Sequence, residues 1–151
     1  MTSKINKISM LKLFVIINFL ALAVSLPQGA PVSSCQSLLP IHGGGIKPLT
    51  TASLFRIIPL SETVGQGKPL VIEIQSTIFE LSFKGFMIHA LTANPPYRVV
   101  GRFEPSASGL VKLINCEGEN DTATHSNTSP KVNFALEWQA PTDYIGDIIF
   151  K

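Results

Sequence analysis

Three histidines, His42, His89 and His125, are the only imidazoles in the 151-residue chain. Imidazole is the side chain that most often ligates metals or moves protons near neutral pH. Three such rings brought together would make a metal site. Here each belongs to a different segment, one in a turn, one in an apolar run and one in a polar stretch. No pattern beside them supplies the second layer of carboxylates that orients metal-bound histidines. They are read as three separate structural residues. The chain has no Gly-x-Ser-x-Gly elbow, His-Glu-x-x-His helix or paired-carboxylate motif, so no nucleophile or metal comes with an oriented base. Gly43-Gly44-Gly45 beside His42 invites a phosphate-loop reading, but the Gly-Lys-Ser/Thr ending and the following helix are missing. The expectation is a protein that is not an enzyme and carries no cofactor.

Cys35 and Cys116 lie 81 positions apart. In an oxidising compartment an even pair in a small domain favours one disulfide, with two free thiols or an intermolecular bridge as the alternatives. A zinc site would need more ligands at suitable spacing. Asn120-Asp121-Thr122 and Asn127-Thr128-Ser129 have the form of glycosylation acceptors. Asn120 is the better candidate, because Pro130 directly follows the second sequon.

Both readings depend on secretion, and the start of the chain supports it. Lys4, Lys7 and Lys12 precede an apolar run from Leu13 to Leu26, closed by Pro27-Gln28-Gly29. The run is too short and wrongly flanked for a spanning helix. Ala23 and Ser25 suit cleavage after Ser25, so residues 1–25 read as a signal peptide and 26–151 as a single domain. Cleavage changes the charge. The full chain has 12 basic and 10 acidic residues; losing three lysines leaves nine against ten, a formal −1. A nucleic-acid binder or a cationic membrane-disrupting peptide needs a retained basic face. Neither a nucleic-acid partner nor stable membrane insertion is expected.

The elements that must position these residues read as strands. From Lys131 to Gln139, Val132, Phe134, Leu136 and Trp138 form an apolar row, alternating with Lys131, Asn133, Ala135, Glu137 and Gln139. Period two over nine residues means one dry face and one wet face. Trp138 is read as core, against the alternative of a surface sugar-stacking residue. Leu70, Ile72 and Ile74 alternate likewise with Val71, Glu73 and Gln75. Further strands are expected at 54–60, 83–91, 98–104, 109–117 and 146–150. Residues 26–51 read as an extended entry segment with four prolines, and 117–130 as one polar loop. Short strands at roughly ten-residue spacing, with no amphipathic helix after the signal, predict an all-β antiparallel sandwich.

Several motifs together resemble one family. Ala30-Pro31-Val32-Ser33-Ser34-Cys35 and Leu39-Pro40-Ile41-His42-Gly43 resemble the start of a reeler domain, the module named after the amino terminus of reelin. Phe83-Lys84-Gly85-Phe86, Gly101-Arg102-Phe103, Cys116, Thr124-His125-Ser126 and Trp138-to-Pro141 continue the match in order, over about residues 28–150. The resemblance implies an immunoglobulin-like sandwich and a Cys35–Cys116 disulfide, and supplies no catalytic residue. Reeler domains continue past the segment matching 146–150 into a further strand. The expectation is therefore a sandwich lacking its last strand, with a sheet edge or apolar core exposed.

Among reeler proteins, the short secreted insect defence proteins look most similar. The function this implies is a secreted, non-enzymatic innate-immunity protein. Its expected partners are microbial cell-wall polysaccharide or lipopolysaccharide and host blood cells, engaged through loops and strand edges. Direct antimicrobial killing sits poorly with the charge of −1. The alternative is an extracellular adhesion or matrix-binding module. A redox role, suggested because reeler domains also accompany membrane-bound ferric reductases, would need haem-bearing and membrane segments that this sequence lacks.

Overall fold

The computed structural model describes residues 28–40, 42 and 46–151. The expected signal peptide, its expected cleavage point and the turn expected at 43–45 lie outside them. After a single 3-10 turn at Val32–Ser34, eight strands follow: β1 (Phe55–Pro59), β2 (Pro69–Ser76), β3 (Met87–Thr92), β4 (Arg102–Phe103), β5 (Val111–Ile114), β6 (Thr122–His125), β7 (Phe134–Gln139) and β8 (Ile148–Phe150). They form two four-stranded antiparallel sheets, ordered β1-β2-β7-β4 and β5-β6-β3-β8. This is the all-β sandwich that the alternation predicts.

The dry rows meet between the sheets. Leu70, Ile72 and Ile74 of β2 and Leu136 and Trp138 of β7 are buried, facing Ile88 and Ala90 of β3 and Ala123 of β6. Trp138 is wholly buried, with its ring edge-on to Phe150 at 5.1 Å. Its Nε1–H donates to Val100 O at 3.2 Å, so the one polar atom of the ring is satisfied. Phe55, Phe83, Phe86 and Phe134 continue the core as a chain of tilted and edge-on rings, with centroids 5.4 to 6.3 Å apart.

Two expectations are corrected. The stretch 117–130 is not one loop, because Thr122–His125 forms β6, an interior strand of the second sheet. Thr122, Ala123 and Thr124 are completely buried. Ala123 faces the core, whereas Thr122 and Thr124 face outward, and the entry segment covers Thr124. Ala30 N donates to Thr124 Oγ1 at 3.0 Å. Gly29, at φ +95°, lies so close that a Cβ would strike Thr124 Cγ2 and His125 O. Thr124 is thus buried by chain from far away in sequence.

The alternation at 131–139 also breaks. β7 begins only at Phe134, and Asn133 sits at φ +47°. That left-handed residue shifts the phase, so Val132 is exposed and Lys131 is buried. The Lys131 ammonium donates to the carbonyls of Lys84, Asn127 and Ser129 at 2.9 to 3.0 Å. Burial pushes its pKa down, while the three carbonyls supply acceptors for the charged form. The other strands are shorter than expected. The 98–104 and 109–117 segments contribute only Arg102–Phe103 and Val111–Ile114, and Phe83 makes an isolated bridge to Lys131 before β3 starts.

Candidate functional site: the loop end around Tyr97

Four loops, 60–68, 93–101, 115–121 and 140–147, gather at one end of the sandwich, as the strand pairings require. The 93–101 loop is built around a buried threonine. Thr92 Oγ1 donates towards Asn94 O and Pro96 O at 3.2 and 3.1 Å and accepts from Arg98 N–H at 3.1 Å. Thr92 N–H also donates to Arg98 O at 3.0 Å. One side chain therefore ties four positions together and leaves Tyr97 projecting, 63% exposed. Glu117 Oε2 accepts from Val99 N–H at 3.2 Å, joining this loop to 115–121.

Asp121 organises the 115–121 loop. Its buried carboxylate accepts from the backbone N–H groups of Cys116, Glu117 and Gly118 at 2.6 to 2.9 Å and from Thr122 Oγ1 at 3.1 Å. A buried charge with four donors is fully compensated. Cys116, on the same loop, is disulfide-bonded to Cys35 with Cα atoms 5.7 Å apart. The bond fastens the entry segment across the outer face of the second sheet. Lys112 Nζ reaches Gln28 O along the same line.

The three histidines stay apart. His42 is exposed in the entry segment. His125 closes β6, where its Nδ1 lies 3.2 Å from both the backbone N and the carbonyl O of Phe86. Its ring packs on Gly85, where a Cβ would come within 2.9 Å. His89 is buried on the outer face of β3, its Nδ1 without a hydrogen-bond partner among the described residues. Burial lowers its pKa, against an upward pull from Asp121; Lys151 adds to the lowering and Glu117 opposes it. Among the described residues, no three His, Cys, Asp or Glu side chains are grouped closely enough to hold a metal ion.

The two sequons fall at opposite ends of β6. Asn120, at φ +54°, bonds through its backbone to Asn115 and Phe103, and its side-chain amide has no partner among the described residues. Asn127 Oδ1 is engaged by Ser129 N and Oγ. Sequence reasoning missed Tyr97. The signal that would have found it is an aromatic residue directly after two prolines in a turn, where burial is geometrically disfavoured.

The Reeler domain model matches residues 33–151. The chain belongs to the reeler-domain family. Over 128 residues this reeler domain is 44% identical to a Drosophila melanogaster protein named as a ferric-chelate reductase 1 homologue; the alignment covers 83% of this chain and 20% of that protein. The chain thus spans about a fifth of that relative's length. The D. melanogaster defence protein l(2)34Fc is 30% identical over 145 residues, 93% of this chain and 86% of its own. A protein named as defence protein 3 of Antheraea mylitta is 27% identical over 135 residues, 89% of this chain and 79% of its own. The crystal structure of the reelin-N domain of F-spondin superposes with a TM-score of 0.55 at 18% identity, covering 70% of this chain and 76% of that one. At that identity the match speaks for the fold alone. Among the described residues no helix is long and apolar enough to cross a membrane.

Proposed function

We propose that this reeler domain is an extracellular, non-enzymatic recognition module of host defence. It binds neutral, hydroxyl-rich polysaccharide of microbial cell walls through the loop end around Tyr97. The observation that carries the reading is the Tyr97 ring, held out to solvent on a loop that Thr92 fixes from within. A pre-positioned aromatic face loses little freedom when a sugar ring stacks on it. The four loops of this end carry six carboxylates, Glu62, Glu117, Glu119, Asp121, Asp143 and Asp147, and two cations, Lys68 and Arg98. Carboxylates accept hydrogen bonds from sugar hydroxyls and repel the phosphates of lipopolysaccharide. Among the microbial partners expected, neutral polysaccharide fits this surface better. The relatives named as defence proteins supply the context.

The test is sedimentation of the purified protein with yeast glucan particles, washed bacteria and host blood cells. Saturable glucan binding, weakened about tenfold by Tyr97→Ala, is expected from the loss of one stacked ring. A folded protein that binds none of the three surfaces refutes the reading.

The 44% identity to part of a protein named as a reductase homologue favours a second reading, an extracellular module serving a redox protein. That reading predicts saturable binding of a ferric chelate such as ferric citrate, without glucan binding.

A further inference from the structure

The end of the sandwich away from Tyr97 carries a different surface. The chain enters β1 there, and the segments 77–86, 104–110 and 126–133 turn there, as the strand pairings require. The 77–86 segment is held at both feet. Thr77 N–H and Oγ1 donate to Leu54 O at 2.8 and 3.0 Å, and Ile78 N–H donates to Ser76 Oγ at 3.0 Å. Phe83 and Lys131 exchange both backbone bonds, at 3.0 and 2.8 Å. Between these feet Leu81 N–H donates to Ile78 O at 3.3 Å, closing a turn with Phe79 and Glu80 at its centre. Glu80 takes the left-handed conformation there, at φ +56°.

Phe79 is 90% exposed on this apex, the most exposed large apolar side chain among the described residues. Ile78 beside it is also exposed, as are Leu54 and Val132 at the two feet. The charge around them is positive. Glu104 is paired with Arg102 at 3.2 Å, which leaves Arg56, Lys84 and Lys131 against Glu80. Arg56 and Lys84 are exposed, and Lys131 adds its charge from within. The two ends of the sandwich therefore differ in sign, since the loops around Tyr97 hold six carboxylates and two cations.

We propose that this apex docks the domain onto an anionic phospholipid bilayer. Phe79 and Ile78 enter the boundary of the acyl chains, while Arg56 and Lys84 meet the lipid phosphates. Shape favours lipid over a protein partner. A side chain projecting from a convex turn needs surroundings that close around it, and a fluid bilayer does so anywhere. A protein would need a matching hollow within an interface of about 800 Å² on each side. Sign favours an anionic surface, which attracts nearby lysine and arginine and repels the acidic end. Contact of this kind is shallow and reversible, with no spanning segment. Docking by this end is independent of what the Tyr97 loop binds.

The test is sedimentation of the purified protein with vesicles of phosphatidylcholine alone and of an equimolar mixture with phosphatidylglycerol. Saturable binding to the anionic vesicles is expected, falling as salt rises, with at least tenfold weaker binding to the neutral ones. Phe79→Ser should weaken binding at least tenfold. Glu80→Lys should strengthen it severalfold, and serves in its place if the serine variant fails to fold. Phe79→Trp puts a reporter on the apex beside the constant emission of buried Trp138, and its emission should move to shorter wavelength on anionic vesicles. Absence of binding by the folded protein overturns the proposal, as does equal binding by Phe79→Ser or an unmoved Phe79→Trp emission. A concentration-dependent dimer that Phe79→Ser dissolves also overturns it, by making a second copy the occupant of the apex.

Discussion

Replacing Gly101 with alanine should be the most damaging single-methyl change in the chain, and Gly109→Ala is its control. Both glycines hold left-handed backbone, at φ +68° and +66°. A side chain there costs about 1 kcal/mol or slightly more. The surroundings differ. A Cβ at Gly109 meets nothing within 4 Å, whereas at Gly101 it would overlap Cζ2 and Cε2 of Trp138 and lie 2.5 Å from Gln139 O. Trp138 has no room to retreat, because it is fully buried and tethered through Nε1 to Val100 O. Overpacking a rigid core adds roughly 1–3 kcal/mol, so Gly101→Ala should lose about 3 kcal/mol and Gly109→Ala about 1 kcal/mol. With a urea slope near 1.5 kcal/mol per molar, the midpoints should fall by about 2 M and 0.7 M. Because the substitution touches the only tryptophan, unfolding should be followed by circular dichroism as well as by emission. Equal midpoints for the two variants would show that the Trp138 contact imposes no cost, and would refute the reasoning.

Lys131→Met removes the donor shared by the carbonyls of Lys84, Asn127 and Ser129; a loss of about 2–4 kcal/mol is expected in urea unfolding, and an unchanged midpoint rejects the bonding scheme. His89 makes stability depend on pH. Burial lowers its folded pKa below the ordinary 6.5, so the unfolded chain takes up that proton first. This contribution is complete above pH 6.5 and declines as the pH falls towards the folded value. Melting curves between pH 5 and 7.5 should show the decline, and His89→Gln should flatten it; a slope unaffected by the substitution assigns the effect elsewhere. In a glycosylating host, Asn120→Gln should remove one glycan by mass spectrometry and Asn127→Gln little or nothing, since Asn127 Oδ1 is already engaged by Ser129. Full occupancy at Asn127 alone contradicts that order.

The central strands were readable because their burial is written locally. Leu70, Ile72 and Ile74, and Phe134, Leu136 and Trp138, each alternate with polar neighbours, and each set lines the core. β6 was not readable. Thr122, Thr124 and His125 look like loop residues, and what covers Thr124 is a segment more than ninety positions away. Lys131 was misplaced for a different reason. One left-handed residue, Asn133, reverses which side faces inward, and no hydrophobic pattern announces it. The loop end shares the first difficulty. Tyr97 is presented by hydrogen bonds converging on Thr92, which themselves exist only once β3 is in place.

The disulfide has a mechanical consequence. Cys35 and Cys116 enclose β1 to β5 in one covalent ring. Tension between the two ends of the folded chain would pass through the sulfurs and leave that ring slack. Only the segments outside the ring can be drawn out, and residues 117–151 account for roughly 120 Å of contour at full extension. A pull of this kind strips β8, β7 and β6 and leaves the ring intact. Reduction removes that stop, so an oxidised and a reduced molecule would lengthen under load by very different amounts.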